Sequence, residues 1–216
     1  MKRRVAVLIS GRGSNMASLL EAAKAPDYPA EVVLVLSNIA DAPGLERARE
    51  AGIETAVISH RAHADREAFE NAMHERLTEA GAELICLAGF MRLLTAGFVN
   101  RWRDRILNIH PSLLPAFKGL HVHERVLETG VRITGCTVHI VRPDMDAGPI
   151  VAQAAVPVAA DDTPATLAAR VLTAEHKLYP AALAALASGA VRIVGDLAHG
   201  SGSGDVGPIL FNPSLD

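Results

Sequence analysis

Asn108 and His110 are the side chains in this sequence best suited to polarise a carbonyl group. They stand in the run Asn108-Ile109-His110-Pro111-Ser112-Leu113-Leu114-Pro115. An amide donates hydrogen bonds, and an imidazole donates them or exchanges a proton. Residues two apart on a strand share a face, so the pair can meet one oxygen that is gaining negative charge. Pro111 biases His110 away from helical angles, and Pro115 restrains the following loop in the same way. A third group is Asp146, in the loop Arg142-Pro143-Asp144-Met145-Asp146-Ala147-Gly148-Pro149. Acids in such loops are most often turn formers, which is a sufficient reading for Asp144. Asp146 is expected to pair with His110. A different chemistry belongs to Ser10-Gly11-Arg12-Gly13-Ser14-Asn15. Glycines and small polar donors at a helix start point backbone N–H groups at an anion. A dinucleotide fits poorly, because the third glycine of that fingerprint is Met16 here and no acid ends the next strand. A monophosphate is the expected ligand.

The elements that must position these groups alternate. Strands are expected at 5–9, 31–36, 53–58, 84–88 and 106–109, and helices at 16–23, 41–51 and 65–80. Val5 to Ile9 are wholly apolar, as in a parallel strand covered on both faces. Gly52 and Gly81 are helix stops. This order predicts an α/β, Rossmann-like, doubly wound and mostly parallel sheet, with ligands outside the carboxyl ends of its strands. The glycine turn, Gly89 to Leu94 and Asn108-His110 all fall at such ends and should converge. In the second half, a helix is expected at 120–128, then strands at 133–141 and 150–158 forming an antiparallel pair. Asp161-Asp162-Thr163-Pro164 starts a long helix, which Pro180 kinks or ends; an apolar helical continuation follows over 181–186, and 191–194 form a last short strand. One domain is expected over 1–195, in halves of about 1–105 and 106–195. A Gly/Ser-rich tail over 196–216 is given no chemistry.

Composition narrows the function. Half of the 216 residues are apolar and the net charge is −3, with no basic run of the kind that binds long nucleic acid. Two cysteines, Cys86 and Cys136, are too few for a disulfide framework, so the cytoplasm is the expected compartment. No stretch has the length needed to span a bilayer. Small-molecule substrates are therefore expected as partners, with neither nucleic acid nor membrane; a homodimer is an open expectation with no legible interface.

The glycine turn, Gly89-Phe90-Met91-Arg92, the Asn108 to Pro115 run and Asp146-x-Gly148-Pro149 together resemble the folate-dependent glycinamide ribonucleotide formyltransferases. The resemblance runs in order from about Val5 to about Leu186. It implies the formyltransferase fold and transfer of a formyl group from 10-formyltetrahydrofolate, a co-substrate, to the glycyl amine of glycinamide ribonucleotide. It further implies catalytic roles for Asn108, His110 and Asp146, without a metal. Gly13, Ser14, Asn15, Leu172, Thr173, Ala174 and Glu175 would hold the ribonucleotide. Arg66, Met91, Arg92, Leu93, Leu94, Asn108, Arg142, Pro143, Asp144, Met145 and Asp146 would hold the folate. Without the resemblance, Arg66, Glu175 and His176 read as solvated polar residues.

Rival readings make different demands. His110, His121, His123 and His139 could serve a metal hydrolase, but His121 and His123 diverge on a helix and no zinc spacing is complete. His139 reads as a strand residue near the site. A methionyl-tRNA formyltransferase calls for an RNA-binding domain, and a formyltetrahydrofolate deformylase for an extra N-terminal domain. A non-catalytic phosphate-binding module leaves Asn108, His110 and Asp146 without a role.

Overall fold

Five parallel strands carry the first half of the chain in the computed structural model, which describes residues 1–200. They are β1 (Arg3–Ile9), β2 (Ala30–Ser37), β3 (Thr55–Val57), β4 (Leu84–Leu87) and β5 (Ile106–His110). β6 (Ile133–Ile140) and β7 (Ile150–Pro157) complete a seven-stranded sheet of order β3-β2-β1-β4-β5-β6-β7. β6 runs antiparallel to β5 and β7 antiparallel to β6, so the expected pair is present and the reversal begins one strand earlier, at β5. Val5 to Ile9 are fully buried because helices cover both faces of the central strand.

Alternation along β1 divides the core. Val5, Val7 and Ile9 pack with α1 (Ser14–Ala23), α2 (Pro43–Glu50) and α6 (Pro164–Ser188), through Met16, Leu19, Leu45 and Leu183. Ala6 and Leu8 pack on the other face with α3 (Arg66–Glu79) and α4 (Ala96–Arg101), through Phe69, Met73, Leu77 and Phe98. α5 (Val122–Thr129) closes a third cluster against α6 through Val126, Leu167 and Val171.

α6 continues through Pro180 to a Gly189 cap and is 25 residues long, so the helical continuation expected over 181–186 is present and the proline does not end the helix. Proline removes one helix hydrogen bond, but flanking Tyr179, Ala182 and Leu183 are almost wholly buried and hold the helix together. α4 was not anticipated. It is six residues long, too short to display a period, and is capped by Thr95, which in turn donates to the buried carboxylate of Glu70. β8 (Val191–Val194) pairs with β9 (Leu197–Gly200), so the hairpin extends past position 195 into the segment read as a tail. The tail's apolar cluster, 209–211, lies outside the described residues.

The chain leaves β1 toward β2 and β3, then returns to add β4 and β5 on the other side. The crevice between the ends of β1 and β4 is the switch point at which such sheets bind ligands. There the Ser10 N–H donates to the Gly89 carbonyl at 3.1 Å, and the Met91 N–H donates to Ser10 Oγ at 2.8 Å. The glycine turn and the Gly89–Leu94 segment are thereby joined.

Candidate active site

Register places the catalytic candidates. In the β5–β6 ladder Asn108 faces His139 and His110 faces Thr137, so all four share one side of the antiparallel pair. The loop between β6 and β7 then folds back over them. Gly148 makes this fold possible, since a Cβ there would lie 1.7 Å from the Ile140 carbonyl oxygen. Asp146 sits in the left-handed region, at φ 51°.

The carboxylate of Asp146 lies between two imidazoles. Oδ2 is 3.4 Å from His110 Nδ1, and Oδ1 is 3.7 Å from His139 Nε2. Asp146 Oδ2 also accepts from the Gly119 N–H at 2.9 Å. All three side chains are at most 10% exposed. The other ring nitrogen of His110, Nε2, is 2.9 Å from the Phe117 carbonyl oxygen. Both nitrogens of His110 therefore face oxygen acceptors, and a neutral ring can donate to only one of them at a time.

His139 has the opposite surroundings. Its Nδ1 is 3.1 Å from the Ile140 carbonyl oxygen, and its Nε2 is 3.2 Å from Asn108 Nδ2. A neutral ring protonated on Nδ1 donates to the first and accepts from the second. Burial pushes the His139 pKa below the ordinary imidazole value, with Ile140 and Asp146 offsetting part of that. The neutral His139 ring thereby orients the Asn108 amide, while His110 is set between two oxygen acceptors.

The loop after His110 is tied down by Thr137, which is fully buried. Thr137 Oγ1 donates to the Ser112 carbonyl at 2.7 Å and accepts from the Leu114 N–H at 3.0 Å. Gln153 donates to the Leu114 carbonyl and to Thr137 Oγ1, both at 2.9 Å. This network fixes the path that brings Phe117 and Gly119 to His110 and Asp146.

A cleft of about 250 Å³ opens at the switch point, lined by the glycine turn from Ser10 to Asn15 with Ala88, Gly89 and Met91. Gly13 caps α1 at φ 66° and no side chain caps that end, so the first-turn N–H groups are free to meet an anion. Gly44 of α2 supports the turn. Its N–H donates to the Gly11 carbonyl at 3.1 Å, and a Cβ would lie 2.6 Å from Ile9 Cδ1. Asn15 Nδ2 donates to Glu175 Oε2 at 2.7 Å, while Asn15 Oδ1 is buried without a partner among the described residues. Burial raises the Glu175 pKa, against the lowering effect of that hydrogen bond.

The remaining candidates divide. Among Leu172 to Glu175, Glu175 joins the glycine turn through Asn15, the Thr173 hydroxyl bonds its own helix at Ala169, and Ala174 packs in the third core cluster. Met91, Arg92 and Leu93 are exposed, whereas Leu94 is half-buried against the second core cluster. Pro143, Asp144 and Met145 are exposed on the loop that carries Asp146. The Arg142 guanidinium is taken up by Asp104 at 2.7 Å and Asp196 at 3.1 Å. Arg66 stands exposed at the start of α3, behind the Asp65 cap. His121 caps α5 at φ 54°, and among the described residues no three His, Cys, Asp or Glu side chains gather as a metal site would require. No described helix is long and apolar enough to cross a membrane. Sequence reading missed the parts played by Gly44, Thr137, Gln153 and Ser10. The one signal for Thr137 was its place beside His139 on the polar face of a strand.

Known proteins resemble this chain in sequence and fold. The formyl transferase family model matches residues 3–183. The trifunctional purine biosynthetic protein adenosine-3 of Bos taurus is 53% identical over 192 residues, 89% of this chain, of which the chain spans only 19%. Phosphoribosylglycinamide formyltransferase of Escherichia coli K12 is 43% identical, over 88% of this chain and 89% of that protein. The crystal structure of glycinamide ribonucleotide transformylase 1 from Symbiobacterium toebii superposes with a TM-score of 0.90 at 45% identity, covering 92% of this chain and 94% of the other. That of phosphoribosylglycinamide formyltransferase from Brucella melitensis gives 0.84 at 52% identity, covering 90% and 99%. The resemblance drawn from the motifs holds, and the chain belongs to the formyl transferase family.

Proposed function

We propose that this chain transfers the formyl group of 10-formyltetrahydrofolate to the glycyl amine of glycinamide ribonucleotide, a step of purine biosynthesis. The observation that carries this reading is the placement of Asp146 between His110 and His139, with Asn108 held by the latter. The relatives named for that activity support the choice of substrates.

The chemistry follows from the donors. The neutral amine attacks the formyl carbon, a C–N bond forms, and the carbonyl electron pair moves onto oxygen. Asn108 gives one amide hydrogen to His139 and has a second for that oxygen. His110, when protonated, would set a second donor close by. One such donor is typically worth about 10²–10³ in rate. Collapse of the adduct restores the carbonyl and breaks its bond to N10, which must gain the proton the attacking amine loses. The His110–Asp146 contact, at 3.4 Å, is longer than a charge-assisted hydrogen bond. Its proton can therefore be given up to substrate, directly or through water. The amine is itself the nucleophile, so no covalent bond to the enzyme is required.

The ribonucleotide phosphate would bind at the free N–H groups of α1, with Asn15 and Glu175 meeting sugar hydroxyls. Met91, Leu93 and Met145, all more than half exposed, would flank the flat heterocycle of the folate. Arg66 would answer its anionic tail. The test is loss of the formyl group from 10-formyltetrahydrofolate, followed by absorbance with and without ribonucleotide. Turnover that depends on ribonucleotide is expected. Equal rates without it would make the protein a hydrolase, and no rate in either case would overturn the reading.

A further inference from the structure

Tyr179 lies in the middle of α6, is fully buried, and is not among the residues that line the cleft. Its hydroxyl is 3.0 Å from the Leu87 carbonyl oxygen and 3.1 Å from that of Leu107. The β4–β5 ladder ends at the Leu87–Asn108 pair, so the phenol bridges the two strands where they part. Beyond that point β4 leads into Gly89–Leu94, and β5 continues as Asn108. One helical turn earlier on the same face of α6, Glu175 holds Asn15 of the glycine turn. A single helix face therefore spans the ribonucleotide side of the cleft, the folate segment and the catalytic strand. Burial raises the Tyr179 pKa well above its ordinary value, so the hydroxyl remains a donor at any working pH.

We propose that Tyr179 is a positioning residue for formyl transfer: its hydroxyl sets the spacing of β4 and β5 and so places Asn108 relative to both substrates. This rests on the function proposed above. No proton moves to or from Tyr179 in the reaction.

Tyr179→Phe keeps the ring and removes only the hydroxyl. Its kcat should fall about tenfold, because displacement by a fraction of an ångström is enough to misalign reacting atoms, while ribonucleotide affinity stays within about twofold. Tyr28→Phe is the matched control. The Tyr28 hydroxyl donates to the Pro180 carbonyl on the same helix at 2.7 Å but has no link to Asn108. Its loss should lower Tm and leave kcat unchanged. In the double variant with Asn108→Ala, Tyr179→Phe should add no further loss, since both act through one side chain. Assays run below the measured Tm, with sucrose present to hold weakened variants folded. Wild-type kcat in Tyr179→Phe, or losses that multiply in the double variant, would overturn the proposal. Hydrogen exchange supplies a readout independent of substrates. Residues 108–110 should exchange faster in Tyr179→Phe than in Tyr28→Phe, and equal exchange would overturn the proposal too. An inactive wild type would count against the function alone.

Discussion

Replacing Asp146 by asparagine tests the centre of the site without emptying it. The substitution keeps the shape, and the amide oxygen can still accept from the Gly119 N–H. It removes a negative charge 3.4 Å from His110 and 3.7 Å from His139. Across 3.4 Å, opposite unit charges attract by about 1 kcal/mol in water and about 5 kcal/mol at an effective dielectric of about 20. The pair is largely buried, which argues against the lower bound, but its length and the Gly119 bond dilute the upper. A loss of about 3–4 kcal/mol of transition-state stabilisation is expected, or about 10²–10³ in kcat. With its oxygen kept at the Oδ2 place by Gly119, the amide turns its N–H toward Nε2 of His139, where it competes with Asn108 for that nitrogen. Steady-state kcat and the dissociation constants of both substrates, measured separately, check this. Binding should change by less than about threefold. Near wild-type kcat for Asp146→Asn, in protein whose melting curve is unchanged, would refute the assignment of charge to this site.

Three further substitutions probe the surroundings. His139→Leu removes the acceptor that orients the Asn108 amide and should lower kcat about tenfold with little change in KM; a rise in KM alone would move His139 from catalysis to binding. Gly44→Ala drives a Cβ to 2.6 Å from Ile9 Cδ1 and 3.0 Å from the Gly11 carbonyl oxygen. It should raise the ribonucleotide KM about tenfold or more and spare kcat, and an unchanged KM would show that the turn does not hold the phosphate. Glu175→Gln tests pH linkage. Burial raises the Glu175 pKa in the fold above its ordinary value of 4.5, so the wild type loses stability as pH rises through the folded value. The glutamine variant lacks that loss. Urea midpoints should favour Glu175→Gln at neutral pH, and the difference should shrink toward pH 4; a difference that widens on acidification would reverse the sign.

The scaffold was legible where physics is local. Val5 to Ile9 announced a doubly covered strand, and Gly11 to Asn15 a helix start open to an anion. Thr163-Pro164 announced a helix entry, and all three are observed. What escaped was set by contacts distant in sequence. Nothing near Gly44 shows that its missing Cβ makes room for Ile9 and Gly11. Pro180 left open whether the helix bends or stops before resuming at 181, because local propensity cannot count the burial of Tyr179 and Leu183 around it. The reversal at β5 depends on pairing with β6, some 30 positions later, and a strand's direction leaves no mark in its own residues.

His139 shows why the site was only partly legible. The alternation of 136–140 placed it on the polar face of a strand, but the same pattern describes any half-buried strand. Its function appears only through register, which sets it opposite Asn108, and through the loop that carries Asp146 back over both. One carboxylate facing two imidazoles would be redundant if the rings were alike. They differ because the backbone offers a carbonyl to Nδ1 of His139 and another to Nε2 of His110. Each carbonyl fixes which nitrogen of its ring carries hydrogen, and the other nitrogen faces the Asn108 amide in His139 and the Asp146 carboxylate in His110. The difference between the two histidines therefore originates in two main-chain carbonyls, at Ile140 and Phe117, which side-chain motifs cannot report.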